Sequence, residues 1–136
     1  MTGKGTVAYN LSLVREEDLP GVTAAFDEVA SAGYGFLNTY RVIETDPRIP
    51  DGHIGIMTAC SITLDGVLQK MGIPTRLEYA GRIAVDENGS ASFLDLIGYR
   101  GTSVDPLHLF VSAGLTSINR LVTAGAGVAL ANVRAV

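Results

Sequence analysis

Apolar residues recur in this chain with two alternating periods, and that alternation restricts the fold more than any other feature. Val7, Tyr9, Leu11 and Leu13 fall on every second residue, between Ala8, Asn10, Ser12 and Val14. A two-residue period predicts a first strand. The segment REEDLPGVTAAFDEVASAG then changes step: Leu19, Val22, Phe26 and Val29 recur at three and four, the buried stripe of a helix. Acidic residues crowd its start, where the helix dipole favours them; Pro20 suits a first turn and Gly33 a stop. Residues 35–43 read as extended, and TDPRIPDG at 45–52 as a loop set by two prolines and a glycine. IGIMTA at 54–59 is a short apolar run, predicted to be a strand buried on both faces. It runs directly into CSITLDGVLQKMG, a helix on which Cys60, Leu64, Val67, Leu68 and Met71 share one face and which Gly72 closes.

From Pro74 the segment TRLEYAGRIAV is extended, DENG turns the chain, and SASFLDLIGY returns. Asn-Gly is a strong hairpin signal, so at least this pair is antiparallel. Asp105 precedes Pro106 as a capping carboxylate before a helix through LHLFVSA; LTSINRLVTAG is a second short helix and VALANVRAV a last strand. The order β-α-β-β-α-β-β-α-α-β predicts a mixed α/β (α+β) fold, with helices packed on a single mixed sheet. A length of 136 residues suits one domain, and no repeat, linker or low-complexity tract divides it.

Composition narrows the function. Charged residues make up 18% of the chain, below the usual value of about a quarter, while apolar residues make up 47%. So little charge on so small a domain predicts surface hidden in a partner, hence a homo-oligomer or a larger polypeptide. The ten Lys and Arg residues are scattered and the formal net charge is −4, which argues against a nucleic-acid binder. One cysteine, no signal peptide and no apolar run long enough to span a bilayer point to a cytoplasmic protein without a membrane partner.

Candidate sites cluster at helix starts. At the strand-to-helix junction stand Thr58, Cys60, Ser61 and Thr63. Free N–H groups and hydroxyls there suit a small carboxylate; the bland alternative is that Ser61 or Thr58 caps the helix. Cys60 lacks any nucleophile signature, and with His53 and His108 it lacks metal-ligand spacing, so a buried thiol is expected rather than catalysis or a metal site. The second candidate is YRGTSVDP, where Arg100, Thr102 and Ser103 precede a helix and Arg offers a bidentate fork. The bland alternative is again capping, by Asp105, beside a surface arginine. The carboxylates Glu28, Glu44, Asp65 and Asp95 show no pairing, and solvated faces are expected of them.

YNLSLVREEDL, IGIMTACSITLDGVLQKMGIP, LIGYRGTSVDPLHLF and AGLTSINRLV, in this order, resemble the regulatory domain of the archaeal nitrogen-responsive repressor NrpR. The resemblance covers nearly the whole chain. It implies a single regulatory domain over 1–136, without enzymatic activity or resident cofactor, in an oligomeric repressor of nitrogen-assimilation and nitrogen-fixation genes, chiefly of methanogens. It implies 2-oxoglutarate as allosteric effector, and a winged-helix DNA-binding domain preceding one or two regulatory domains. No winged-helix segment is read in this chain, so DNA contact is expected through a separate domain or subunit. In AGRIAV the resemblance leads one to expect two glycines and an aliphatic residue where Ala80, Gly81 and Arg82 stand. A dianionic keto acid needs two anion sites. The junction at Cys60 and Ser61 is expected to hold one carboxylate, and Thr102 and Ser103 with Arg76, Arg82 or Arg100 the other. The alternatives are a dimerisation module without ligand sensing and a small cysteine-dependent enzyme.

Overall fold

The computed structural model describes residues 7–34 and 39–136. Among them the elements are β1 (Tyr9–Arg15), α1 (Leu19–Ser31, entered through a 3-10 turn at Glu16–Asp18), β2 (Tyr40–Ile43), β3 (His53–Ala59) and α2 (Ile62–Lys70). There follow β4 (Arg76–Val85), β5 (Ala91–Gly98), α3 (Pro106–Ser112), α4 (Ile118–Ala124) and β6 (Gly127–Ala135). This is the expected order, and the fold is mixed α and β. Of the extended stretch expected at 35–43, residues 35–38 lie outside the described residues.

The expectation of one sheet is corrected. Among the described residues there are two three-stranded sheets, ordered β1-β3-β2 and β5-β4-β6, and each of their pairings is antiparallel. A strand has two edges. β3 gives both of its edges to β1 and β2, and β4 gives both to β5 and β6, so neither central strand has an edge left to join the sheets. The chain divides into two compact units, Met1–Val67 and Leu68–Val136.

In the first unit Ile56 on the central strand is fully buried, a burial that stabilises by about 1.5–3 kcal/mol. Its neighbour Gly55 is small because Leu11 and Ile49 lie over it: a Cβ there would come within 2.9 and 2.8 Å of their methyl carbons. Phe26 of α1 meets Tyr40 of β2 edge-on, with ring centroids 5.5 Å apart. Leu19, Val22, Phe26 and Val29 are the half-buried stripe of α1, yet no residue of that helix is fully buried. Arg15 binds Glu17 and Asp18, and Asp18 makes no side-chain cap to the helix.

In the second unit the DENG turn is locked by Asp86, whose Oδ1 accepts from the N–H groups of Asn88 and Ser90, both at 2.9 Å. Ala80, Pro106, Phe110 and Leu121 are buried. Asp105 caps α3, accepting from the Leu107 N–H at 3.0 Å.

The face that Cys60, Leu64, Val67, Leu68 and Met71 share on α2 is largely open to solvent. Leu64 and Val67 are 49% and 50% exposed, and Met71 more so, whereas Asp65 is the buried residue of the helix at 7%. Amphipathic spacing states which side chains share a face; it does not state that anything covers that face. Asp65 therefore does not stand on a solvated face. Nor is Asp95 unpaired, because it binds Arg82. No helix among the described residues is long and apolar enough to cross a membrane.

Candidate functional site

The junction of β3 and α2 is tied to the start of β1. The Ala8 carbonyl accepts from the Cys60 N–H at 2.9 Å and from the Thr63 hydroxyl at 3.1 Å; the Ala8 N–H donates back to the same hydroxyl at 3.1 Å. Thr63 therefore latches the N-terminal end of the first sheet to the first turn of α2. The Thr63 and Leu64 N–H groups turn back onto the Cys60 and Ser61 carbonyls, both at 3.0 Å. Thr58 lies on β3 opposite Asn10 and Tyr40. Ala59, Cys60, Ser61, Thr63, Leu64 and Val67 line a cleft of about 270 Å³. Three of those six side chains are purely aliphatic, so the cleft suits the carbon frame of a small molecule better than a bare anion.

A Cys60–His53 dyad is excluded by the strand between them. His53 begins β3 and Cys60 follows its end, which separates them by about 20 Å at roughly 3.3 Å per residue. His53 Nδ1 lies 3.1 Å from the Asp51 carbonyl oxygen. Among the described residues no three His, Cys, Asp or Glu side chains gather as a metal site.

The second unit holds the other candidates, dispersed. Arg76 pairs with Glu78. Arg82 holds Asp95 through Nε at 2.6 Å, donates from Nη1 to the Leu115 carbonyl at 3.4 Å, and lies 6.0 Å from the centre of the Phe110 ring. Both guanidinium groups already face a carboxylate of their own chain. Arg100, Thr102 and Ser103 stand together on an exposed turn, and the Thr102 hydroxyl donates to the Val104 carbonyl at 3.0 Å. Beyond that turn, Tyr99 donates its hydroxyl to Asn132 Oδ1 at 3.0 Å, and burial, seconded by the charge of Asp105, raises the phenol. Capping by Asp105 is confirmed beside them.

One concavity escaped the sequence reading. Tyr9, Arg41, Ile43, Asp46, Arg48 and Met57 help to line a hollow of about 630 Å³ in the first unit. Asp46 accepts from the Arg48 backbone at 2.9 Å and from its Nε and Nη2 at 2.8 and 2.7 Å; Nη2 also donates to the Tyr9 hydroxyl at 3.2 Å. The guanidinium draws the Asp46 carboxyl down to about 2, through side-chain and then backbone hydrogen bonds, and is itself raised in turn. Arg41 on β2 has no ion-pair partner among the described residues. Asp46-Pro47-Arg48 carries the turn signal that would have located this fork. Its link to Tyr9, 39 residues away, has no local signature.

Comparison with known proteins gives a consistent result. The family model described as NrpR regulatory domains NRD1 and 2 matches residues 1–136. The chain is 40% identical over 136 residues to the global nitrogen regulator NrpRI of Methanosarcina mazei, covering 98% of this chain and 42% of that one. It is 29% identical over 106 residues to the global nitrogen regulator NrpR of Methanocaldococcus jannaschii, covering 78% of this chain and 18% of the relative. A crystal structure of a nitrogen repressor-like protein from Methanococcus jannaschii superimposes with a TM-score of 0.67 at 27% identity, over 79% of this chain and 46% of that one. The chain thus spans less than half the length of these relatives. The two curated relatives are named as regulators, and the matching family model is one of regulatory domains.

Proposed function

The chain belongs to the family of NrpR regulatory domains, and from that premise we propose that it is the effector-sensing module of an oligomeric, nitrogen-responsive transcriptional repressor. The match over all 136 residues carries this reading. The effector is 2-oxoglutarate, DNA is contacted through a separate winged-helix domain or subunit, and the ligand acts by favouring one of two arrangements of the oligomer.

The residues proposed to meet an anionic effector are Thr58, Cys60, Ser61 and Thr63 within the first unit, and, as a separate candidate within the second unit, Arg100, Thr102 and Ser103. The cleft at Cys60 supports the first group, being large enough for a five-carbon acid. Arg100 is preferred to Arg76 and Arg82 because each of those would have to release its own carboxylate first. A second reading, a dimerisation module that leaves sensing to another domain, is favoured by these same committed arginines and by the exposed apolar side chains.

Thermal denaturation with and without a dicarboxylate separates the two. A ligand that binds the native state raises the melting temperature with concentration. A rise with 2-oxoglutarate supports the sensor, and no change at millimolar ligand supports the dimerisation module.

A further inference from the structure

The first sheet carries its hollow on the face turned away from α1. On one face Phe26 of α1 meets Tyr40. Strand alternation puts Tyr9, Arg41, Ile43 and Met57 on the other. Arg41 pairs with Met57 and Ile43 with Gly55, while Tyr9 stands two residues along β1 from Leu11, the second partner of Met57. The segment after β2 crosses this same face, because Ile49 lies over Gly55. It brings Asp46 and Arg48 to the wall of the hollow, whose floor is the half-buried pair Ile43 and Met57.

Four charged side chains line the hollow, and two of them satisfy each other. Asp46 holds Arg48 through Nε, Nη2 and the backbone N–H. Arg41 and Glu44 have no ion-pair partner among the described residues. Two arginines and two carboxylates sum to zero, so the hollow as a whole is neutral while one charge of each sign stays free. Tyr9 adds a donor. Its hydroxyl accepts from Arg48 Nη2 at 3.2 Å, and a phenol also has a hydrogen of its own to give.

We propose that this hollow binds a free α-amino acid with an apolar side chain. The carboxylate pairs with Arg41, whose guanidinium offers a bidentate fork, and accepts from the Tyr9 hydroxyl. The ammonium group pairs with Glu44, and the side chain lies on Ile43 and Met57. Charge selects the class of ligand. A zwitterion leaves the neutral balance as it stands and uses both free charges. A dianion would bring two negative charges to one free cation beside a free carboxylate, so the dicarboxylate of the reading above is not expected here. The site lies wholly within the first unit and does not rest on that reading.

Titration calorimetry with L-leucine tests it. The controls are isocaproate, which lacks the ammonium group, and isoamylamine, which lacks the carboxylate. Saturable binding of L-leucine is expected, with each control weaker by about tenfold or more, since each forfeits one charge-assisted contact. Arg41→Gln and Glu44→Gln are each expected to weaken L-leucine by about the same factor. Both residues are exposed, so neither variant removes a buried contact. In the unaltered chain the Met57 methyl signal is expected to shift with L-leucine and to ignore 2-oxoglutarate, which needs no variant to fold. Absence of L-leucine binding up to millimolar ligand, isocaproate binding as tightly, undiminished binding in folded Arg41→Gln, or displacement of L-leucine by 2-oxoglutarate overturns the proposal. The effector reading is checked separately in the same samples: loss of 2-oxoglutarate binding beside intact L-leucine binding overturns that reading and supports this one.

Discussion

Nε of Arg82 lies 2.6 Å from a carboxylate oxygen of Asp95, across the β4–β5 hairpin. A regular ladder would not bring them together. The pairs nearest the turn run Val85 with Ala91, Ala84 with Ser92 and Ile83 with Phe93, which would next oppose Arg82 to Leu94. A bulge between Arg82 and Ile83 shifts the register by one residue and delivers Asp95 instead.

Arg82→Ala removes that pair, the hydrogen bond to the Leu115 carbonyl and the contact with Phe110 together. Asp95 is half-exposed, so solvent screens the pair. A loss of about 1–2 kcal/mol is expected from urea unfolding, with Arg82→Lys recovering only part, since lysine cannot form the planar fork. If Arg82 serves the fold alone, effector affinity stays unchanged in both variants.

Two glycines should respond oppositely to alanine. At Gly81 a Cβ would come within 2.6 Å of the Asp95 carbonyl oxygen, which is backbone and cannot swing aside. Gly81→Ala is expected to cost about 2 kcal/mol or more by forcing β4 and β5 apart. Gly66 lies inside α2 with nothing within 4 Å of its added Cβ. Gly66→Ala is expected to stabilise by about 0.5–1 kcal/mol, through helix propensity. Denaturation midpoints of the two variants check both signs.

Thr63→Val deletes both hydrogen bonds to Ala8 while keeping the shape. A loss of about 1 kcal/mol is expected, with faster amide exchange at Ala8. Thr63→Ser should restore the exchange rate, and failure to do so would show that the methyl group, not the hydroxyl, makes the latch.

Asp46 provides a pH signature. Its carboxyl is lowered from 3.8 to about 2 by Arg48. A group depressed on folding contributes stability above its unfolded value and loses it as pH falls through the folded one. The Asp46–Arg48 fork and its hold on Tyr9 should therefore persist at pH 4 and be lost as pH falls towards 2. Carboxyl-carbon NMR of Asp46 should titrate near 2 in the parent and move up towards 3.8 in Arg48→Ala.

The element order was legible because helices and strands differ in local period, and because stops such as Gly33 and Gly72 take positive φ where glycine is favoured. The division into two sheets was not, because pairings such as Tyr9 with Ala59 join residues far apart in sequence. The spacing of Leu64, Val67 and Met71 marked a shared face of α2, but spacing alone does not say whether anything covers it, and all three are exposed. The junction at Cys60 and Ser61 was visible as a strand running into a helix, but Ala8 at its back was not, since a mainchain carbonyl has no sequence signature. Nor could Arg82 be matched to Asp95, because a one-residue bulge decides that pair. Family likeness, by contrast, lay in long ordered segments and needed no contact map.

The central claim is that this chain senses a keto dicarboxylate. Calorimetric titration of the purified chain with 2-oxoglutarate, with glutarate and glutamate as controls, tests it most directly. Saturable binding that prefers the keto acid, and that weakens in Ser61→Ala without loss of the fold, is the predicted result. Absence of binding up to millimolar 2-oxoglutarate, or equal binding of all three acids, would contradict it.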